Sequence, residues 1–330
     1  MNYLLFLCFA MSFLVTFFII PYWIKRAKKA GLVGKDIHKK KDIKVAELGG
    51  VCVITGFIFG LLTYIAIQTF YFENISKSLA IMGVLSSILI ITIIGLIDDI
   101  LGWKIGLRQY QKPILTLVAS LPIIVLGLGH TIIGIPFLGS MDLDLFYIFV
   151  LIPLAIVGTS NGFNMIAGYN GLEAGMGILI LSTMGFIAWL RGISWIAMLA
   201  FIMVFALMAF WIYNKKPAKI FPGDTLTYSV GALIGIIAIL GDISKIGLVL
   251  FIPYLIELPL KLRGKLQKES FAKVLNDGSL DVPYEKFYGL EHIAIFLLKK
   301  IKNKVYENDV VYSLYFLEIV LIAFVFIFMV

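Results

Sequence analysis

Long apolar runs constrain this chain more than any other feature. They fall at about 2–24, 48–70, 79–97, 111–129, 145–163, 174–190, 194–213, 225–241, 244–261 and 310–330. A helix of about 20 residues spans a hydrocarbon core of about 30 Å, and each run approaches or exceeds that length. Backbone polar groups in lipid must be satisfied internally, which leaves helices or closed barrels. The runs are continuous and do not alternate. The expected fold is therefore all-α: a polytopic helical membrane protein with about ten transmembrane helices. Its composition, 61% hydrophobic and 15% charged, departs from the soluble average of about 45–50% and about 25% in the same direction. A single integral membrane domain is expected over 1–330, with a short cytoplasmic segment, 262–309, before the last helix.

The basic residues set the orientation. Residues 25–47 carry nine Lys and Arg, 98–112 three, 214–224 three and 261–304 ten, so 25 of 28 share one side. Lys77, Arg191 and Lys245 remain on the other. The positive-inside rule places the basic loops in the cytoplasm and both termini outside. A net charge of +8 invites a nucleic-acid reading, but no aromatic–basic module accompanies it, and no nucleic acid is expected. The first run has Lys25-Arg26 after it and no basic stretch before it, the pattern of an N-out anchor. Cys8 and Cys52 lie within apolar runs and read as small buried hydrophobes.

Polar residues gather where the runs end on the basic side. In GLIDDILGWKIGLRQYQK, 95–112, Asp98 and Asp99 stand at the mouth of a helix, followed by Lys104, Arg108 and Lys112. Charges there are costly and mark function. Neighbouring residues on a helix point about 100° apart, so the pair does not readily grip one ion. In TSNGFNMIAGYNGLEAG, 159–175, Asn161, Asn164 and Asn170 cluster among glycines, which lets backbone N–H groups approach a ligand. In KKPAKIFPGDTLTY, 215–228, a Pro-Gly turn precedes Asp224 at a helix start, with Phe221 before it. An isolated Asp there would read as an N-cap; a third carboxylate on one membrane face favours function. Glu47 precedes Gly49-Gly50 at the start of the second run, and His38 stands alone among lysines without a catalytic assignment.

In the polar segment, Asn276–Ser279 reads as a hairpin turn, and 288–305 as an interfacial amphipathic helix with Leu290, Ile293, Leu297 and Ile301 on one face. Glu257 and Lys261 are one turn apart and expected to pair, while Glu318 has no evident role.

Carboxylate and amide oxygens suit a hard cation, Mg²⁺ or Mn²⁺, that bridges phosphates. Lysines suit phosphate as point charges. No Cys/His set for zinc, no serine–histidine arrangement and no P-loop occurs. The residues point to metal-assisted phosphoryl transfer at a membrane surface, with a lipid as one substrate.

The chain resembles the polyprenyl-phosphate N-acetylhexosamine-1-phosphate transferases, glycosyltransferase family 4, and within them the archaeal and eukaryotic UDP-GlcNAc:dolichyl-phosphate branch. GLIDDILG at 95–102, Lys112 before PILTLVASLP, SNGFNMIAGYNGLEAG at 160–175 and FPGDTLTYSVGALIGIIAILGDISK at 221–245 carry the resemblance. It implies transfer of GlcNAc-1-phosphate from UDP-N-acetylglucosamine to dolichyl (polyprenyl) phosphate, giving GlcNAc-diphosphodolichol and UMP. It implies Asn164 and Asp224 as Mg²⁺ ligands, Lys112 on phosphate, and Asp98 and Asp99 on the lipid phosphate. Glu47, Asn161, Gly168, Asn170 and Phe221 would line the uridine and diphosphate region. Two positions depart from the family pattern. Gly102 stands where a polar residue is usual, and RGKLQKES at 263–270 carries no histidine.

The alternatives are an undecaprenyl-phosphate transferase using another UDP-amino sugar and a cation-coupled transporter. The transporter reading lacks an internal repeat and mid-membrane charges. Apolar outer faces accommodate a lipid bilayer and a homodimer. The expected location is the plasma membrane of an archaeon or the endoplasmic reticulum of a eukaryote, with the active site cytoplasmic.

Overall fold

The computed structural model describes residues 3–39, 43–102, 106–129, 132–135 and 139–330; Lys40, Lys41 and Lys104 lie outside them. The helices in chain order are α1 (Phe6–Ala30), α2 (Gly49–Phe70), α3 (Ser78–Leu101), α4 (Gln111–Thr116), α5 (Leu121–Val125), α6 (Asp144–Phe146), α7 (Ile152–Phe163), α8 (Leu172–Leu190), α9 (Ser194–Asn214), α10 (Asp224–Leu240), α11 (Ser244–Leu250), α12 (Ile252–Arg263), α13 (Leu290–Lys299) and α14 (Glu307–Phe328). Antiparallel strand pairs β1 (Val33–Lys35) with β2 (Lys44–Ala46), β3 (Ile132–Ile135) with β4 (Gly139–Asp142), and β5 (Lys273–Val274) with β6 (Leu280–Asp281) occupy loops. The protein is a helical, polytopic membrane protein.

Among the described residues, seven helices are long and apolar enough to cross a membrane: Tyr3–Ala30, Gly49–Phe70, Ser78–Leu101, Asp144–Phe163, Leu172–Leu190, Ser194–Asn214 and Glu307–Phe328. The other three expected spans are shorter or interrupted. The 111–129 run divides into α4, a 3₁₀ turn at Leu117–Ser120 and α5, with Pro113 and Pro122 removing backbone donors. The 244–261 run divides at Phe251, just before Pro253. The 225–241 run is α10, one continuous helix of 17 residues. At the other extreme α1 outruns its expected end at 24 and stops at Gly31, whose φ of +78° and the Leu32 N–H bond to the Ala27 carbonyl form a Schellman-type end.

α10 is the axis of the bundle. It is buried on nearly every side, packing against α2, α3 and α7. Small residues allow this: a Cβ on Gly231 would meet the α7 backbone at Thr159–Ser160, and one on Gly50 or Gly95 would meet the backbone of Asp224–Leu226. Close backbone approach of this kind drives association where lipid offers no hydrophobic incentive. The packing delivers the N-terminus of α10 to the middle of the basic face.

On that face the turn before α10 is stitched to the start of α2. Phe221 N–H donates to the Ala46 carbonyl (2.8 Å), Gly49 N–H to Phe221 O and Gly50 N–H to Pro222 O (both 2.9 Å). The β5–β6 hairpin closes through Leu275 N–H on Ser279 O, with Gly278 at φ +84°. α13 occupies only Leu290–Lys299 of the expected 288–305. Leu280 N–H bonds Val305 O (2.7 Å), which draws the chain toward β6. Leu290, Glu291, Ala294 and Ile295 form the buried side of α13, whereas Leu297 and Ile301 are exposed.

Candidate active site

The last turn of α3, the first turns of α4 and α10 and the end of α7 converge. Lys112 Nζ stands between two carboxylates, 2.7 Å from Asp98 Oδ2 and 2.8 Å from Asp224 Oδ2. Asp98 also accepts the Leu107 N–H. The lysine lies 5.7 Å from the Tyr228 ring centroid. Asp224 is 22% exposed and Lys112 16%, so water reaches the pair and it is not sealed in the core.

Asp99 is placed differently. Its Oδ1 accepts the Asp224 N–H (2.7 Å), and its Oδ2 accepts the Thr225 N–H (3.0 Å) and Thr225 Oγ1–H (2.6 Å). A helix start leaves such N–H groups without partners. Here the residue before α10 is Gly223, which has no side chain to cap with, and a carboxylate from α3 takes that part. A Cβ on Gly223 would collide with the Asp99 carboxylate, and its φ of +73° suits glycine alone.

Asn164 ends α7, and its Oδ1 accepts the Thr227 hydroxyl (2.9 Å). Thr227 Oγ1 also reaches the Asp224 backbone carbonyl (3.3 Å), and the Asp224 carboxylate and the Asn164 amide both lie against the Tyr228 hydroxyl. That hydroxyl is buried.

The structure thus gathers Asp98, Asp99, Lys112, Asn164 and Asp224. The other named residues lie around this centre with separate ties. Asn161 turns to α4, donating to Thr116 Oγ1 and to its own helix at Val157 O (2.9 Å each). Gly168, at φ +99°, donates its N–H to Glu173 Oε1 (2.8 Å). Asn170 is buried; its N–H donates to Glu307 Oε1 (2.9 Å) and its amide to Asp36 Oδ2 (3.0 Å). Glu47 and Phe221 both lie against Gly34, and the Glu47 carbonyl accepts Trp23 Nε1–H (2.9 Å). Burial raises the Glu47 carboxyl above its ordinary range.

His38, Glu307, Asp36 and Glu173 were not singled out for the site by sequence, yet they hold its loops. His38 Nε2 accepts the Ala272 N–H (3.2 Å), and its ring lies 4.2 Å from that of Tyr169. Burial pulls its imidazole down to about 4, despite the opposing pull of Glu307 and Asp36. Glu307 had a local signal, an acid in the first turn of a helix. Glu173 lay within the quoted Asn–Gly stretch. Asp36 and His38 had none, because their partners are far away in sequence.

The glycosyl transferase family 4 model matches residues 81–242, which contain the whole Lys112 cluster. A Saccharolobus solfataricus protein, provisionally named a UDP-N-acetylglucosamine–dolichyl-phosphate N-acetylglucosaminephosphotransferase, is 41% identical over 286 residues, 86% of this chain and 85% of its own. A Dictyostelium discoideum protein of that name is 30% identical, with coverage of 74% and 68%. A Streptococcus pyogenes phospho-N-acetylmuramoyl-pentapeptide-transferase is 32% identical, with coverage of 69% and 70%.

Proposed function

The chain belongs to glycosyl transferase family 4, and we propose that it transfers GlcNAc-1-phosphate from UDP-N-acetylglucosamine to dolichyl or another polyprenyl phosphate. A lipid phosphate oxygen bonds to the sugar-bearing phosphorus, the diphosphate P–O bond breaks, and UMP leaves. The observation that carries this reading is the Asp98–Lys112–Asp224 cluster beside Asn164 at the membrane end of four helices. The names of the S. solfataricus and D. discoideum relatives support the substrates. The basic face supports a cytoplasmic active site.

The donor set fits Mg²⁺. Asp224 and Asn164 offer hard oxygens that both lie against the buried Tyr228 hydroxyl. Among the described residues no group of three or more His, Cys, Asp or Glu is arranged to hold an ion. An ion held by Asp224 and Asn164 would take its remaining ligands from substrate and water, which is the usual habit of Mg²⁺. When bound it would offset charge on the diphosphate.

The protein's own groups divide the rest. Lys112 supplies a positive charge to the phosphates and, bonded to both, offsets the repulsion between Asp98 and Asp224. Asp98 faces the lipid phosphate. Asp99, with both oxygens committed to α10, positions Asp224 without meeting the substrate. Glu47, Phe221 and Gly168 border the nucleotide side.

The test is UMP release by purified protein with Mg²⁺, dolichyl phosphate and a panel of UDP-sugars. UMP with UDP-N-acetylglucosamine supports the reading, UMP only with another sugar corrects the donor, and none with any sugar overturns it.

A further inference from the structure

The chain between α12 and α14 is anchored at a buried cluster outside the reaction chemistry above. Glu257 on α12 is fully buried. Its Oε2 accepts the N–H of Leu290, the first residue of α13 (2.6 Å), and its Oε1 lies 3.4 Å from Lys261 Nζ, one turn on. Lys261 donates to Ser270 Oγ, which is itself 3.4 Å from Glu257 Oε1. Two side chains on one turn of α12 therefore hold both ends of the stretch between Ser270 and Leu290. Gly289 keeps the space open. A Cβ there would fall against Glu291 Oε2, Ser270 Oγ and Glu257 Oε1, although its φ of −166° is extended backbone open to any residue.

Beyond the Ser270 end, the chain crosses the loop that leads from Asn164 to α8. Tyr169 Oη–H donates to the Ser270 carbonyl (3.3 Å), and Ala272 N–H to His38 Nε2. Phe271 lies so close to Gly168 that a Cβ on that glycine would strike its ring. The placement of Phe271 is thus set from below by α12 and transmitted to the backbone bordering the nucleotide side of the site.

We propose that Glu257 and Lys261 form a latch, positioning residues that set how the nucleotide-sugar fits by fixing Ser270 and Phe271 over Gly168 without touching substrate. The proposal rests on the transferase reading above. A buried charge left without its partner is strongly disfavoured, so removing either member releases the Ser270 end. Misplacement of site groups by about 1 Å is enough to change substrate handling severalfold to a hundredfold.

The experiment uses the full chain in lipid nanodiscs, with KM measured separately for the UDP-sugar and for the polyprenyl phosphate. In Glu257→Gln and Lys261→Met, KM for the UDP-sugar rises about tenfold, while KM for the lipid phosphate stays within about twofold. Lys261→Arg restores most of the loss. Trypsin cleavage after the exposed Arg263, Lys265 and Lys268 accelerates in the same two variants. Ser270→Ala, which removes one hydroxyl at the loop end, carries the same KM test where a charge variant fails to fold. A UDP-sugar KM unchanged in folded variants overturns the latch, and so does an equal rise in both KM values. Wild-type protein that releases no UMP from any UDP-sugar overturns the transferase reading instead, before any variant is compared.

Discussion

Two lysine–carboxylate clusters share the basic face. In one, Lys112 stands between Asp98 and Asp224. In the other, Lys39 and Lys216 approach Glu307 Oε2 at 2.8 and 3.7 Å, while the Asn170 N–H occupies Glu307 Oε1. Glu307 is 2% exposed and Asp224 22%. The difference lies less in residue type than in the second partner. A carboxylate bonded to a backbone N–H is fixed by the fold itself. A carboxylate held by a flexible lysine can exchange that cation for another, at modest cost where water still reaches the pair. Asp224 belongs to the second kind and Glu307 to the first, and Asp99, next to Asp98 in sequence, sides with Glu307.

Four substitutions press on that contrast. The largest effect is expected for Asp224→Asn, with turnover falling by about 10³-fold and no loss of fold, measured by UMP release beside thermal unfolding. Near-normal turnover would move Asp224 into the scaffold class. Glu307→Gln should do the reverse, lowering stability by about 3 kcal/mol because its lysines lose their buried counter-charge. The folded fraction should keep kcat within about fivefold of wild type; a selective collapse of kcat would erase the distinction. Asp99→Asn should lower stability by about 1–2 kcal/mol through the weakened α10 cap. Asp98→Asn keeps an oxygen for the Leu107 N–H and should shift the melting temperature less than Asp99→Asn does; equal melting shifts in the two would refute the division between neighbours.

The remaining effect, absent at neutral pH, concerns acid sensitivity. The unfolded chain protonates His38 near its ordinary value of 6.5, and the folded protein near about 4. Between those values the unfolded state binds more protons, so stability is fully present above about pH 6.5 and falls as pH drops toward 4. His38→Gln should flatten that decline, by up to about 1.4 kcal/mol per pH unit. A slope unchanged in the variant would assign the acid sensitivity to other groups.

Hydrophobic run length was enough to make the fold class legible, because nothing else satisfies a backbone in lipid. The same signal overstated regularity at 111–129 and 244–261, where prolines interrupt the helices. It missed that α1 continues to Ala30, since lysines end an apolar run without ending a helix. At the site, Asp98, Lys112, Asn164 and Asp224 were readable as polar residues at helix ends. Their ties were not: Asn170 could be named from its loop, but its bonds go to Asp36 and Glu307.

Sequence alone settled that this is a membrane protein, and which polar residue types stand at the ends of its apolar runs. Only the tertiary structure decided that Asp98 faces Lys112 while Asp99 caps α10. Helical periodicity separates two neighbours by angle. It does not say which helix each will meet, because partners such as Thr225 lie more than a hundred residues away in sequence. That choice is made by packing, here by the glycines that let α10 approach α2, α3 and α7.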